Sequence, residues 1–250
     1  MPTPQDALNY AKRMCGNMPV DDSNLQPRVC DDASKALWMA APWRWTIAPL
    51  EILTIVNAQQ DYSLASHPDL LFLVNCSITD GEQKSELIVT ANLPSLGVTP
   101  PIVGKVQRVS YVPGSPQKLR TFPTPSGYPN TAMPSILTWY KQLAPTIIAG
   151  NMTTDYNTLT QTTGGSGTNV GFPGEFFWVY REMVLLYAYQ FTHDARLGAV
   201  AFENSVDPKT GQNVASTKYS GQYAVVQDGI QQMKTAEKKF FDSIGNEVMA

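Results

Sequence analysis

The chain has 250 residues, a formal net charge of -3 and a charged fraction of 16%, low against the roughly 25% of ordinary soluble chains. That balance gives no support to a basic nucleic-acid-binding stripe, and no window of five or six residues is solidly basic. No apolar run reaches the ~18 residues that span a bilayer, and the first residues lack the apolar core of a signal peptide.

Cys15, Cys30 and Cys76 are odd in number and far apart, which fits reduced thiols in a protein folded in a cytoplasm. Thr3-Pro4-Gln5-Asp6 reads as a helix start: a threonine N-cap, proline in the first turn and an acidic residue three after the cap. Leu8, Ala11, Met14 and Cys15 continue it as a modest apolar stripe up to Gly16. Residues 17–22 carry Pro19 and two aspartates and are expected to be a loop. A second helix is predicted to begin near Ser23, with Pro27 close enough to the first turn to be tolerated. Val29, Ala33, Ala36, Leu37 and Ala40 mark its buried face, and Pro42 closes it. Trp38, Trp43 and Trp45 surround that ending. Tryptophans placed where a helix meets a sheet bury large area while the indole nitrogen finds a backbone acceptor, so core packing is expected of them ahead of stacking on a base or sugar.

After this cluster the periodicity changes. Residues 46–56, 70–78, 85–91 and 105–112 are short β-rich runs bounded by turns such as Asp80-Gly81 and Pro113-Gly114. Residues 60–64, QDYSL, lie between the first two runs. Residues 93–104 are proline-rich and expected to form a long irregular loop, and 116–134 is a second proline-rich stretch. SILTWYKQL at 135–143 reads as one more strand of the same sheet. Residues 151–171 are mostly threonine, glycine and asparagine, with GGSG at 164–167, and read as a flexible crossing back to helical sequence.

The longest run able to bury a continuous apolar face is 171–202. Phe172-Pro173-Gly174-Glu175 opens it as a helix start, with Glu175 favoured at the positive end of the helix dipole. Phe176, Val179, Tyr180, Met183, Val184, Tyr187 and Phe191 recur at helical spacing, while Phe177, Trp178, Leu185, Leu186 and Tyr189 fall on other faces. A helix apolar nearly all round is either central in its own domain or shared with a neighbouring chain. Residues 204–218 are polar and contain the turn Asp207-Pro208-Lys209-Thr210-Gly211. The last helix shows a narrow, coiled-coil-like seam of Tyr219, Tyr223, Val226, Ile230, Met233, Phe240 and Ile244. The expected fold class is therefore α+β: terminal helices (1–45 and 172–250) forming a helical bundle, an inserted antiparallel β domain (46–150) and a flexible Thr/Gly-rich linker (151–171).

Motifs for chemistry are missing. Only His67 and His193 could serve as an ordinary imidazole base, and neither lies near a glycine-flanked serine or cysteine. The cysteines form no CxxC pair, and adjacent acids such as Asp21-Asp22 and Asp31-Asp32 diverge on a helix and read as helix-start or loop charges. GGSG lacks the lysine and hydroxyl residue of a phosphate loop. The expectation is a protein that is no enzyme and holds no cofactor or metal.

The order of motifs carries a resemblance. A helix running into LWMAAPWRWTI, then QQDYSLASHPDLLFLVNCSI, then ILTWYKQLAPTI, then GFPGEFFWVYREMVLLYAY resembles the head-to-tail adaptor proteins of tailed bacteriophages, the connector or tail-tubular-A-like family. These elements span about residues 31–202, and their order carries the specificity. The resemblance implies a structural part of the virion neck: a homo-oligomeric ring, usually of twelve subunits, made in the host cytoplasm and assembled beneath the portal protein. Such a ring seats the tail or the next neck protein, and DNA passes through its channel without sequence-specific binding. It implies no membrane partner. By the same resemblance, Lys234, Lys238, Lys239, Phe240, Phe241 and Ile244 are candidates for portal docking. Trp38, Trp43, Trp45, Phe176, Trp178, Tyr180, Met183 and Tyr187 are candidates for the bundle core or for contact between subunits. A low charge suits a subunit that buries surface on assembly, and a mildly negative one suits a channel through which DNA must slide. The alternatives are another virion ring or a tail-completion or baseplate protein, and, from a different class, a carbohydrate-binding module using Trp43, Trp45 or Trp139.

Overall fold

The computed structural model describes residues 2–16, 25–41, 43–49, 53–65, 70–81, 83–90, 102–114, 116–129, 133–156, 159, 172–206 and 213–248; side chains at 48–49, 203–206, 213–216 and 239–248 are outside that description. In chain order the helices and first strands are α1 (Pro4–Cys15), α2 (Leu25–Met39), β1 (Ile47–Pro49), β2 (Leu53–Thr54), β3 (Asp61–Ser63), β4 (Leu70–Asp80) and β5 (Gln83–Val89). There follow β6 (Val103–Gly104), β7 (Arg108–Val112), β8 (Lys118–Phe122), β9 (Thr124–Pro125) and β10 (Ser135–Gln142). The chain then enters α3 (Phe177–Thr192), β11 (Val200–Val206), β12 (Asn213–Tyr219) and α4 (Gly221–Val248). The protein is α+β, and it divides into a helical unit, drawn from Met1–Trp45, Ala144–Thr160 and Thr168–Ala250, and a β unit built on Thr46–Leu143.

In the helical unit α1 starts as its sequence dictates. The Thr3 hydroxyl accepts the Asp6 amide at 3.2 Å while the Asp6 carboxylate accepts the Thr3 amide at 2.9 Å, a closed capping box. Helices α1, α2 and α4 all pack against α3. That role explains why α3 is apolar on every side: Val179, Tyr180, Met183, Val184, Leu185, Leu186, Ala188 and Tyr189 are all buried. The helix ends at His193, whose left-handed backbone (φ 52°) turns its amide onto the Gln190 carbonyl. Next to it, the Arg196 guanidinium grips the Asp194 carboxylate, lies 4.8 Å from the centre of the Tyr189 ring and donates to the Met14 carbonyl at 2.7 Å.

The crossing expected over 151–171 is corrected at its start. Met152, Tyr156 and Leu159 are buried in the core of the helical unit. The Gln5 amide donates to the Met152 carbonyl at 2.9 Å, the Tyr156 amide to the Pro2 carbonyl at 2.9 Å, and the Tyr156 and Ser34 hydroxyls are 2.8 Å apart. These bonds and three large side chains hold this backbone in place. The helical unit also takes in residues from Ala144 onward, so the β unit ends before the expected position 150. The GGSG at 164–167 lies outside the described residues.

The β unit is an eight-stranded sheet in the order β1-β10-β4-β5-β7-β8-β3, with β2 also paired to β10; β6 and β9 form a separate pair. An all-antiparallel sheet was expected, and this one is mixed, because β5 and β7 run parallel with Ile88 opposite Arg108. The stretch 90–107 between them is long enough for the crossover that parallel strands require. Run 46–56 is broken into β1 and β2, and the proline-rich stretches hold β6, β8 and β9. Along β4 and β10 the pairs Ile78–Ile136, Cys76–Thr138 and Leu73–Tyr140 face the core, which also contains Tyr62, Val109, Leu119 and Tyr128. The Tyr62 hydroxyl accepts the Val56 amide at 3.0 Å and the Tyr128 hydroxyl accepts the Val106 amide at 2.9 Å, so both phenols tie loop backbone to the core. Asp61 and Arg120 form a bidentate pair at 2.7 and 2.9 Å between β3 and β8.

Candidate interaction surface

The aromatic cluster is packed internally. Trp43 donates its indole proton to the Leu37 carbonyl at 2.6 Å, and its ring stacks on Trp45 with centroids 6.2 Å apart. Trp45 in turn meets Trp38 and Phe172 edge-on at 5.0 and 5.1 Å, and Tyr156 stacks on Tyr180 at 4.2 Å. Of the eight candidates for core or subunit contact, Trp38, Trp43, Tyr180 and Met183 are buried within this chain. Trp45, Phe176, Trp178 and Tyr187 are half-buried against the same core. A stacking platform for a sugar needs an open ring face, which buried Trp43 does not offer. Trp139, on β10, is 41% exposed.

Two buried acids were missed by sequence reasoning. Glu182 lies buried within α3. Its carboxylate accepts from Gln222 Nε2 at 2.9 Å and from Arg181 at 3.1 Å, and the same Gln222 amide reaches the Glu182 carbonyl. Arg181 in turn lies 4.0 Å from the centre of the Tyr10 ring. Burial, and then a hydrogen bond to Glu182, raises the Tyr10 phenol above its ordinary range. The node therefore ties α1, α3 and α4 together. A signal was present, since a lone carboxylate inside an otherwise apolar helix needs a partner. Asp31, read as a helix-start charge, is instead a buried group inside α2 that accepts the Ile147 amide at 2.8 Å and pairs with Lys35. Burial pushes the thiols of Cys30 and Cys76 up to about 12, so neither is poised as a nucleophile. Among the described residues no group of three His, Cys, Asp or Glu side chains could hold a metal ion. His67 and Asp21-Asp22 lie outside the described residues, and His193 is an exposed helix cap.

Exposed residues of the helical unit include several on α4 and the β11–β12 ribbon. The seam expected for a partner helix is used at home over its first half: Val226, Ile230 and Met233 are buried in the helical unit. Tyr219 belongs to β12, not to the helix. Gly229 is seated so closely on α3 that an added Cβ would come 3.0 Å from Trp178 and Val179. Beyond Met233 the packing thins. Lys234, Thr235, Ala236 and Lys238 are exposed, while Glu237 accepts the Arg44 amide at 3.0 Å. The other docking candidates, Lys239, Phe240, Phe241 and Ile244, lie on the helix backbone but their side chains are outside the described residues.

The ribbon is a second correction. Residues 204–218, expected as a polar loop, include most of an antiparallel pair running from Val200–Tyr219 to Val206–Asn213. On one face at its base stand Val200, Phe202 and Tyr219, all exposed, with Phe202 at 85%. Among the described residues no helix is long and apolar enough to cross a membrane. No family model matches the chain, and no curated protein matches it.

Proposed function

We propose that this chain is a structural virion protein, a head-to-tail adaptor whose copies form a ring beneath the portal and join the DNA-filled capsid to the tail. In this reading the terminal helices act as a bundle that carries the β unit, and the ring passes DNA through its channel in the neck of the virion. The observation that carries the proposal is the shape of α4. It runs 28 residues, about 42 Å at 1.5 Å per residue, and among its described side chains the last buried apolar one is Met233, with Glu237 one turn on still accepting the Arg44 amide. A long helix that bears exposed Lys234 and Lys238 past its last described buried apolar residue suits docking into a partner ring. The motif order from LWMAAPWRWTI to GFPGEFFWVYREMVLLYAY supports the same reading, and the net charge of -3 suits a channel that does not hold phosphates.

The test is assembly. The purified chain, mixed with a portal protein from the same source, is expected to co-migrate as a ring-on-ring complex, and truncation after Thr235 is expected to abolish co-migration while leaving the helical unit folded. A full-length chain that stays monomeric and binds no portal sinks the proposal. A second reading, glycan binding by the β unit, has the exposed Trp139 in its favour. It predicts binding on a glycan array that Trp139→Ala removes.

A further inference from the structure

We infer that Arg196 is the positioning residue of the β11–β12 ribbon: by fastening the ribbon's root to the end of α1, it gives a hairpin that belongs to no larger sheet one direction. This holds whether or not copies of the chain form a ring.

The need for such a residue follows from topology. The two strands pair with each other, and among the described residues no third strand joins them. At the base Ala201, Phe202, Thr217 and Lys218 are all exposed, so the side chains on both faces there are open to solvent. A two-stranded ribbon on its own is marginal in water and takes no orientation from a parent sheet. Its direction has to come from its root.

That root is a crossing of two glycines. Gly198 (φ 83°) precedes β11 and Gly221 (φ 58°) follows β12. A Cβ on Gly198 would fall 2.0 Å from the Ser220 carbonyl oxygen, and one on Gly221 would fall 2.7 Å from the Arg196 carbonyl oxygen. Ser220 closes the crossing: its amide donates to the Ala199 carbonyl at 3.0 Å, and its hydroxyl oxygen accepts the Ala199 amide at 2.9 Å. These bonds join the two strands to one another, and glycine backbone turns more freely than that of any other residue. The pinch therefore fixes where the strands meet, but not where the ribbon points.

Arg196 supplies the missing constraint. It lies in the single turn Ala195–Leu197, between the end of α3 and Gly198. The Asp194 carboxylate accepts its backbone amide at 2.9 Å, its Nε at 2.9 Å and its Nη2 at 2.6 Å. Nη1 reaches away from the turn to the Met14 carbonyl at 2.7 Å, in the last turn of α1, where helix carbonyls lack a partner within the helix. The guanidinium also lies 4.8 Å from the centre of the Tyr189 ring on α3. One planar, rigid fork is thus held by α1, by α3 and by its own turn. With the side chain held there and its carbonyl against Gly221, the turn cannot swing without breaking charge-assisted bonds.

Distances between spin labels test this. Labels go on exposed sites, Arg28→Cys on α2 and Phe202→Cys on the ribbon, in a Cys15→Ser background whose two remaining cysteines, Cys30 and Cys76, are buried. With Arg196 in place the distance distribution is expected to be a single narrow peak. Arg196→Ala is expected to shift and broaden it, and Arg196→Lys, which keeps the charge but not the planar fork, to do the same. Amide exchange along α3 is expected to stay at the wild-type level in both variants, which separates loss of direction from loss of fold. A distribution that is unchanged by Arg196→Ala, or already broad with Arg196 present, overturns the role of Arg196. Loss of α3 protection in both variants overturns it too, since Arg196 is then a residue of the fold. A chain that forms no ring and binds no portal removes the adaptor reading and leaves this result untouched.

Discussion

The core of the helical unit is assembled from side chains far apart in the chain: Trp43 and Trp45 near its start, Tyr156 in the middle, Tyr180 on α3 and Val226 on α4. The β unit instead builds on one continuous stretch, where strand register brings Ile78 to Ile136 and Leu73 to Tyr140. In the first, a few large aromatic rings and two buried acids decide the arrangement. In the second, it is the backbone ladder, with alternation doing the sorting of side chains. Loss of one ring should therefore damage the helical unit far more than loss of any one side chain damages the sheet.

Trp43→Ala is the strongest way to break that contrast. The ring is fully buried, stacks on Trp45 and supplies a hydrogen bond to the Leu37 carbonyl. Its removal is expected to destabilise the helical unit by about 3–5 kcal/mol. Amide hydrogen exchange is the measurement: α2 and α3 should lose protection while β4 and β10 keep theirs. Equal loss in the strands means the two cores unfold as one.

Glu182→Leu tests the polar half of the same core and should have a smaller effect. The leucine leaves the buried Gln222 amide and the half-buried Arg181 guanidinium without their carboxylate, a loss of about 2–3 kcal/mol. Adding Gln222→Leu should recover part of it, because both partners are then apolar. A double variant as unstable as the sum of the singles shows that the two side chains do not act as a pair.

The parts legible in the sequence were those with a local cause. The Thr3–Asp6 capping box, the tryptophan-rich end of α2 and the all-round apolar character of α3 each follow from neighbouring residues. The failures share a different cause. Residues 204–218 show no alternating apolar face, so a ribbon held by backbone pairing and a glycine pinch left no pattern to read. Tyr156 lies in a stretch read as a flexible crossing, and its partners, Ser34 and Phe172, stand elsewhere in the sequence. Asp31 looked solvated because its acceptor role serves the amide of Ile147. Of the candidate surface, the α4 candidates could be named from the sequence, whereas Phe202 and the pinch at Gly198 could not, since exposure and close approach are tertiary facts.

The smallest expected effect lies in the β unit and is set by pH. The hydrogen bonds from Arg120 hold the Asp61 carboxyl below its ordinary range, with Lys118 adding to the pull. A carboxyl whose folded value is depressed contributes stability that is complete above its unfolded value near ~4 and is lost as pH falls through the folded value. The pair joins β3, the last strand of the sheet order, to β8, and it is worth about 1 kcal/mol at most for groups this close to solvent. The expected outcome is a β unit whose urea midpoint falls slightly between pH 5 and pH 2, with protection lost first at β3. Asp61→Asn should show the lower midpoint already at neutral pH, and its own change on acidification should be smaller than that of the wild type. An equal acid response in both proteins means that Asp61 is not the group responsible, and that β3 is held by its ladder to β8 alone.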